Sequence, residues 1–180
     1  MIEFVGLVLA AGEGKRFGGP KAPFELNGER LVDRAVRILR EAGASHIYVV
    51  LGAWLGEVEN AEVIVNPDWE TGMASSLRSG LSHLESQTHH DRVVITLVDL
   101  PGLTPEAISR VASDEQSISV ATYDGTRGHP VGFNREHWNK VAATAIGDAG
   151  ARDFLKNHAT DISTVEVGDV ATGEDMDVRP

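Results

Sequence analysis

The chain contains no cysteine. That excludes disulfides, thiolate metal sites and a cysteine nucleophile. It is also short of positive charge: 16 Lys and Arg against 27 Asp and Glu give a formal net charge of −11. Non-specific nucleic-acid binding needs a basic face to displace condensed counterions, so no nucleic-acid partner is expected. No apolar stretch reaches the roughly 20 residues that cross a bilayer, and no membrane partner is expected either. Glu3 stands where a signal peptide carries its basic residues, and the apolar run behind it is too short for one. A cytoplasmic location is the expectation. Histidines are present, but nothing near them supplies a nucleophilic triad.

What the chain does have is alternation. At 180 residues it is long enough for one domain over residues 1–180 with a substantial core. Apolar runs alternate with helical periodicity, which points to an α/β fold with a parallel sheet. Phe4–Leu9, His46–Leu51, Glu62–Val65 and Arg92–Val98 read as strands. So do Ser117–Thr122 and Pro130–Phe133, which flank a turn at Asp124-Gly125, and Ile162–Val167 at an edge. Leu31, Ala35, Ile38 and Ala42 form one helical stripe, closed by Gly43; Met73, Leu77, Leu81 and Leu84 form a second. Thr104-Pro105 starts a helix. Asp148 is expected to cap another that runs through His158, and residues 168–180 to be loosely ordered.

The first strand empties into Leu9-Ala10-Ala11-Gly12-Glu13-Gly14-Lys15-Arg16-Phe17-Gly18-Gly19-Pro20-Lys21. Glycines let backbone N–H groups press against a ligand. With Lys15, Arg16 and Lys21 in the same loop, the pattern suits a polyphosphate. It is not the dinucleotide fingerprint: the spacing is Gly12-x-Gly14-x-x-x-Gly18, and strand two ends in Val50-Leu51-Gly52, with no carboxylate for a ribose. Nor is it a Walker A loop, since no Gly-Lys-Ser/Thr opens the helix.

Asp99 follows the strand at 92–98, at the sheet end where α/β proteins bind ligands, and can hold Mg²⁺ against phosphate oxygens; a turn or capping role is the alternative. Asn66, Ser75 and Ser76 gather at a helix start, suited either to a base or anion or to plain capping. His129, between Gly128 and Pro130, can contact a second substrate, work as an acid/base, or be structural. Arg152 can bind an anionic acceptor or be a surface arginine. Asp175 and Asp177, at i and i+2 in an extended segment, point to one side and either complete a cation site or are tail acids.

These segments together resemble the MobA-like nucleotidyltransferase family, in its molybdenum cofactor cytidylyltransferase branch. The likeness rests on the first loop, on Asn66-Pro67-x-Trp69-x-x-Gly72-Met73-x-Ser75-Ser76-Leu77-Arg78, on Asp99-x-Pro101, on Gly128-His129-Pro130-Val131 and on Gly147-Asp148-x-Gly150-Ala151-Arg152. It implies a Rossmann-like three-layer fold with a mostly parallel sheet, of the nucleotide-diphospho-sugar transferase type. It implies transfer of a nucleoside monophosphate from an NTP to a phosphorylated acceptor, releasing pyrophosphate with Mg²⁺. Arg16, Lys21 and Asp99 would be catalytic. Leu9, Ala10, Ala11, Gly12, Gly14, Gly18, Gly19, Asn66, Ser75 and Ser76 would bind nucleotide, and His129 and Arg152 the acceptor. Asp99 and Asp177 would hold the metal; the family's closing Asp-Ile-Asp-Thr-Pro appears here as Asp175-Met176-Asp177-Val178-Arg179-Pro180. Ala11 favours CTP, since the family associates Leu-Ala-Ala-Gly with that nucleotide. The acceptor implied is molybdopterin, and a molybdoenzyme receiving the cofactor is a possible partner. Three other readings stand beside it: a sugar- or small-phosphate nucleotidyltransferase, an NAD(P)H oxidoreductase of the nicotine-pigment type, and a non-catalytic nucleotide-binding module that hands on a cofactor.

Overall fold

The computed structural model describes residues 2–87 and 89–180. Its centre is a seven-stranded sheet in the order β5-β4-β1-β6-β8-β7-β9. The strands are β1 (Val5–Leu9), β4 (His46–Leu51), β5 (Glu62–Val65), β6 (Arg92–Leu97), β7 (Ile118–Tyr123), β8 (Thr126–Asn134) and β9 (Ile162–Glu166). A small hairpin, β2 (Glu25–Leu26) and β3 (Glu29–Arg30), stands apart from it. The helices are α1 (Leu31–Glu41), α2 (Met73–Gln87), α3 (Pro105–Ser113), α4 (Arg135–Thr144) and α5 (Arg152–Asn157). None is long and apolar enough to cross a membrane among the described residues.

Side-chain alternation along the strands builds the three layers. Val5, Leu7 and Leu9 of β1 face the cluster formed with α2, α4 and α5; Phe4, Val8 and Ala10 face the cluster formed with α1 and α3. Both faces of β1 are therefore covered, and its continuous apolar run is that of a fully buried parallel strand. Helix α2 lies close enough that a Cβ on Gly80 would stand 2.8 Å from a methyl of Leu7.

All neighbouring strands pair in parallel except at β8, which is antiparallel to both β6 and β7. Asp124 and Gly125 join β7 to β8 with φ of 49° and 80°, the left-handed pair of a two-residue hairpin turn. Because β8 runs backwards, its beginning lies beside the end of β6: Ile95 pairs with Val131, so His129 arrives next to the residues that follow Leu97. The chain enters the sheet at β1, goes outward to β4 and β5, and crosses back to β6. The gap where β1 and β6 end is thus the switch point at which open α/β sheets take ligands.

Two sequence expectations need correcting. Asp148 does not cap α5, whose N-cap is Ala151 without a side-chain bond. It serves α2 instead: Asp148 Oδ1 accepts from Met73 N at 3.4 Å, and Gly147 O from Ala74 N at 2.8 Å. The free N–H groups of α2 need acceptors, and a loop distant in sequence supplies them. Nor are residues 168–180 loose. They cross the carboxyl ends of the strands, with Thr172 N bonded to Gly102 O at 3.1 Å and Met176 N to Asp99 O at 2.9 Å.

Arg92, 1% exposed, locks β6 to its neighbours. It donates to Gln116 O (3.0 Å), Asn134 Oδ1 (2.7 Å), Val111 O (3.0 Å) and the Ser119 hydroxyl. Gly132 leaves it room, since a Cβ there would stand 2.8 Å from the guanidinium. Burial depresses the guanidinium pKa, so the surrounding dipoles hold the charge in place. We expect Arg92→Ala to lose roughly 3 kcal/mol of unfolding free energy in urea titration, from a cavity plus orphaned carbonyls.

Candidate active site

Two pockets open side by side over the ends of β1 and β6. The smaller, about 420 Å³, is lined by Leu9, Ala10, Ala11, Gly12, Gly14 and Lys21 of the glycine loop on one side. Trp69, Glu70 and Ser76 close another side, and Asp99 lies at its inner end. The larger, about 710 Å³, is lined by His129, Arg127, Arg152, Lys156 and Asp175 over an apolar floor that includes Ile95, Leu100, Val131 and Phe133. Leu9, Met73, Leu97 and Asp148 belong to both, so the pockets share a wall.

The glycine loop folds around its own carbonyl. Gly18 N and Gly19 N donate to Gly14 O at 2.8 and 3.0 Å. Gly14 has φ 62°, and a Cβ there would stand 2.0 Å from Gly19 O, so only glycine fits. Gly18 and Gly19 therefore shape the loop from behind and are absent from the pocket lining. Asn66 and Ser75 are likewise turned inward. Asn66 Nδ2 donates to Ser75 Oγ (2.8 Å) and Ser76 Oγ (3.0 Å), and Ser75 donates to Gly72 O (2.8 Å) and Asp68 O (3.0 Å). Buried polar groups must be paired, and these satisfy one another at the start of α2. Of the three, only Ser76 reaches the pocket.

The charged centre is the Lys21 ammonium. It donates to Asp99 Oδ2 at 2.7 Å, with the two side chains 15% and 18% exposed, and lies 3.6 Å from Asp177 Oδ1. Arg16, 79% exposed, reaches the same Asp177 oxygen at 3.3 Å. The half-buried Lys21–Asp99 pair works at a lower local dielectric and is the stronger; the solvent-screened Arg16 contact contributes little to stability. Asp175, on the wall of the larger pocket, has its carboxyl pushed up, first by burial and then by the charges of Asp99 and Asp177. Three carboxylates thus crowd one end of the site against a single close ammonium. Among the described residues no three His, Asp or Glu form a ready-made metal cage. Asp99 and Asp177 nevertheless offer hard oxygens with room for phosphate oxygens and water, the donor set that Mg²⁺ or Mn²⁺ takes.

Beside the larger pocket, Tyr123 Oη donates to the His129 carbonyl at 2.6 Å. Burial, then the Glu166 charge, pushes the Tyr123 phenol up to about 12, so it stays a donor. The His129 imidazole is pushed down to about 4 by burial, against a weaker upward pull from Asp99. Sequence reading missed Tyr123 and Lys156, and it gave no pocket role to Trp69, Glu70, Arg127 and Asp148, which lie within the segments it singled out. Tyr123 and Lys156 carry no local signal, because they come to the site only through sheet order and loop docking.

A sheet of this topology, with a cationic glycine loop facing a strand-end aspartate beside a second pocket, defines an enzyme that handles nucleoside triphosphates. The MobA-like NTP transferase domain matches residues 6–162, and the chain belongs to that family. It is 35% identical to a protein from Paenarthrobacter nicotinovorans named Nicotine blue oxidoreductase, over 96% of this chain and 91% of that one. It is 28% identical to the Purine catabolism protein PucB of Bacillus subtilis, over 97% and 94%. Shorter stretches match proteins from Opitutus terrae, a Geobacillus and Xanthomonas euvesicatoria whose names include molybdenum cofactor guanylyltransferase. Among solved structures, Rv0371c from Mycobacterium tuberculosis superposes with a TM-score of 0.82 at 26% identity, over 98% of this chain and 93% of that one.

With its pKa near 4, His129 is neutral throughout physiological pH. The unfolded imidazole titrates near 6.5, so below that the unfolded state binds the extra proton and stability falls as pH drops toward about 4. Above about 6.5 this contribution is flat. The expected result is a stability decline between pH 6.5 and 4 that is shallower in His129→Gln, read by denaturant midpoints. An imidazole NMR titration centred near 6.5 in the folded protein would overturn the assignment.

Proposed function

We propose that the protein transfers CMP from CTP to a phosphorylated acceptor of the molybdopterin type and releases pyrophosphate. The observation that carries this reading is the Lys21–Asp99 pair at the inner end of the smaller pocket, beside the wall shared with the larger one. A triphosphate laid along the glycine loop brings its α-phosphorus to that wall, and an acceptor in the larger pocket brings its phosphate from the opposite side. In-line attack forms a new P–O bond at the α-phosphorus as the bond to the leaving pyrophosphate breaks. No covalent enzyme intermediate is required.

Catalysis then consists of positioning and charge neutralisation. Lys21 and Arg16 draw on phosphate oxygens and leave their present carboxylate partners to do so. Asp99 and Asp177 are the residues that would hold a divalent ion, Mg²⁺ in this proposal, which supplies charge neutralisation at the phosphates. Ala11 in the Leu-Ala-Ala-Gly sequence supports CTP as donor.

The lining of the larger pocket supports an acceptor with an apolar or planar body and an anionic end. Its cations, Arg127, Arg152 and Lys156, stand over aliphatic and aromatic side chains, and no Ser, Thr, Asn or Gln lines it among the described residues. Against nicotinamide-dependent redox chemistry stands the end of β4, which offers Val50-Leu51-Gly52 and no carboxylate to a ribose.

The first test is thermal stability with Mg²⁺ plus each of CTP, GTP, ATP, UTP, NADH and NADPH. A ligand at a hundredfold excess over Kd stabilises the folded state by about 2.7 kcal/mol. We expect a Mg²⁺-dependent rise with CTP that is lost in Lys21→Ala. A rise with NADPH and with no NTP would overturn the proposal in favour of an oxidoreductase. In pyrophosphate-release assays with molybdopterin as acceptor, Asp99→Asn should lower kcat at least about 10²-fold, the scale for losing a main electrostatic element. Near-normal turnover would remove Asp99 from the mechanism.

A further inference from the structure

Segment 172–180 passes over the site, and its firmest anchor lies beyond the carboxylates it carries. Arg179 donates through Nε to Phe17 O at 3.1 Å and through a terminal nitrogen to Gly18 O at 3.3 Å. Its guanidinium lies 5.3 Å from the Phe17 ring centroid and 5.5 Å from that of Phe24. Those two rings meet edge to face at 4.9 Å, and Phe17 is buried. The planar cation therefore sits against an aromatic pair while its fork holds two consecutive carbonyls, a site that suits arginine and not lysine. The loop is shaped to receive it: Gly19 has φ 148°, and a Cβ there would stand 3.3 Å from the guanidinium.

On the near side of the carboxylates, Met176 N is bonded to Asp99 O at 2.9 Å. Asp177 lies between these two ties. Its own charged contacts, to Arg16 at 3.3 Å and Lys21 at 3.6 Å, are to cations that a bound triphosphate would also attract. When phosphate takes those cations, the contacts that fix Asp177 are the ones made by its neighbours in the chain: Met176 on Asp99 and Arg179 on the glycine loop.

We propose that Arg179 is a positioning residue for the nucleotidyl-transfer site. It fastens segment 172–180 to the glycine loop and so keeps the Asp177 carboxylate beside Asp99 when a divalent ion and a nucleotide are bound. This rests on the reading of Asp99 and Asp177 as the metal-holding pair. Arg179 touches no substrate and acts only through the segment. Its loss should weaken ion binding and slow turnover while leaving the fold intact, because it lies outside both faces of the hydrophobic core.

Two readouts test it on the full chain without requiring turnover. The first is Mn²⁺ affinity, from the electron paramagnetic resonance signal of the free ion, for the unaltered chain, Arg179→Ala, Arg179→Lys and Asp177→Asn. Removing a residue that orients a ligand commonly costs about 10-fold or more in affinity. Arg179→Ala should match that loss, Arg179→Lys should recover little of it, and adding Arg179→Ala to Asp177→Asn should cost nothing further. The second is amide exchange at Met176, which should accelerate in Arg179→Ala while the melting temperature holds. Equal Mn²⁺ affinity in the unaltered chain and Arg179→Ala, absence of Mn²⁺ binding by the unaltered chain, or a loss that tracks a fall in melting temperature would each overturn the proposal. The assay of pyrophosphate release separates it from the proposed function. Weakened Mn²⁺ binding in Arg179→Ala with no CTP turnover by the unaltered chain leaves the positioning role standing and removes the nucleotidyl transfer. Full turnover with unchanged Mn²⁺ affinity does the reverse.

Discussion

A single ammonium group balances the carboxylates that gather where β1 and β6 end. Lys21 meets Asp99 at 2.7 Å and Asp177 at 3.6 Å, and Asp175 titrates upward from burial and because the other two stand near it. Lys21, joined by Arg16 at 3.3 Å from Asp177, offsets the repulsion between the segment carrying Asp175 and Asp177 and the strand end on which it lies. Like charges in a half-dry site repel by several times what they would in water. The glycine loop, the end of β6 and segment 172–180 meet at this cluster, with the segment fastened on either side by Met176 on Asp99 and Arg179 on the loop. Under the proposed function, a ligand that brings both negative phosphate and positive metal would redistribute these charges.

Much of the frame was legible in the sequence because it depends on local periodicity. Strands β4 and β5 fall on the residues that alternation and apolar runs marked, and β1 and β6 within one residue of them. Gly43 takes a positive φ of 96° just past α1, as a helix-ending glycine should. Helix α4 escaped notice because only Trp138 and Val141 of its ten residues are buried, too few to make a stripe. The β2–β3 hairpin, two residues a strand, offers no period at all.

The candidate site divides along the same line. The glycine loop and Asp99 could be found because each follows a buried strand directly. Asp148 was seen, but its role was misread, since the helix it serves begins 75 residues earlier in the chain. Tyr123 and Lys156 stand in stretches with no motif, and Arg179 stood in the closing segment without a role; only the fold brings Tyr123 against His129, Lys156 to the larger pocket and Arg179 to the glycine loop. For Asn66 and Ser75 the sequence left a ligand-binding and a capping reading open; in the fold they pair with each other and with backbone at the start of α2, beneath the smaller pocket.

The reversed strand β8 has a consequence for how this enzyme could change. Under the proposed function, the nucleotide half of the site is built on the loop that follows β1 and on the end of β6. Under that function the acceptor half begins near a two-residue hairpin, Asp124-Gly125, whose two amides donate to the Glu166 carboxylate and which lies away from the glycine loop. If the two pockets divide donor from acceptor as proposed, the two recognitions are separable within one sheet: a lineage could retune what receives the nucleotide near that turn and inherit the machinery that delivers it.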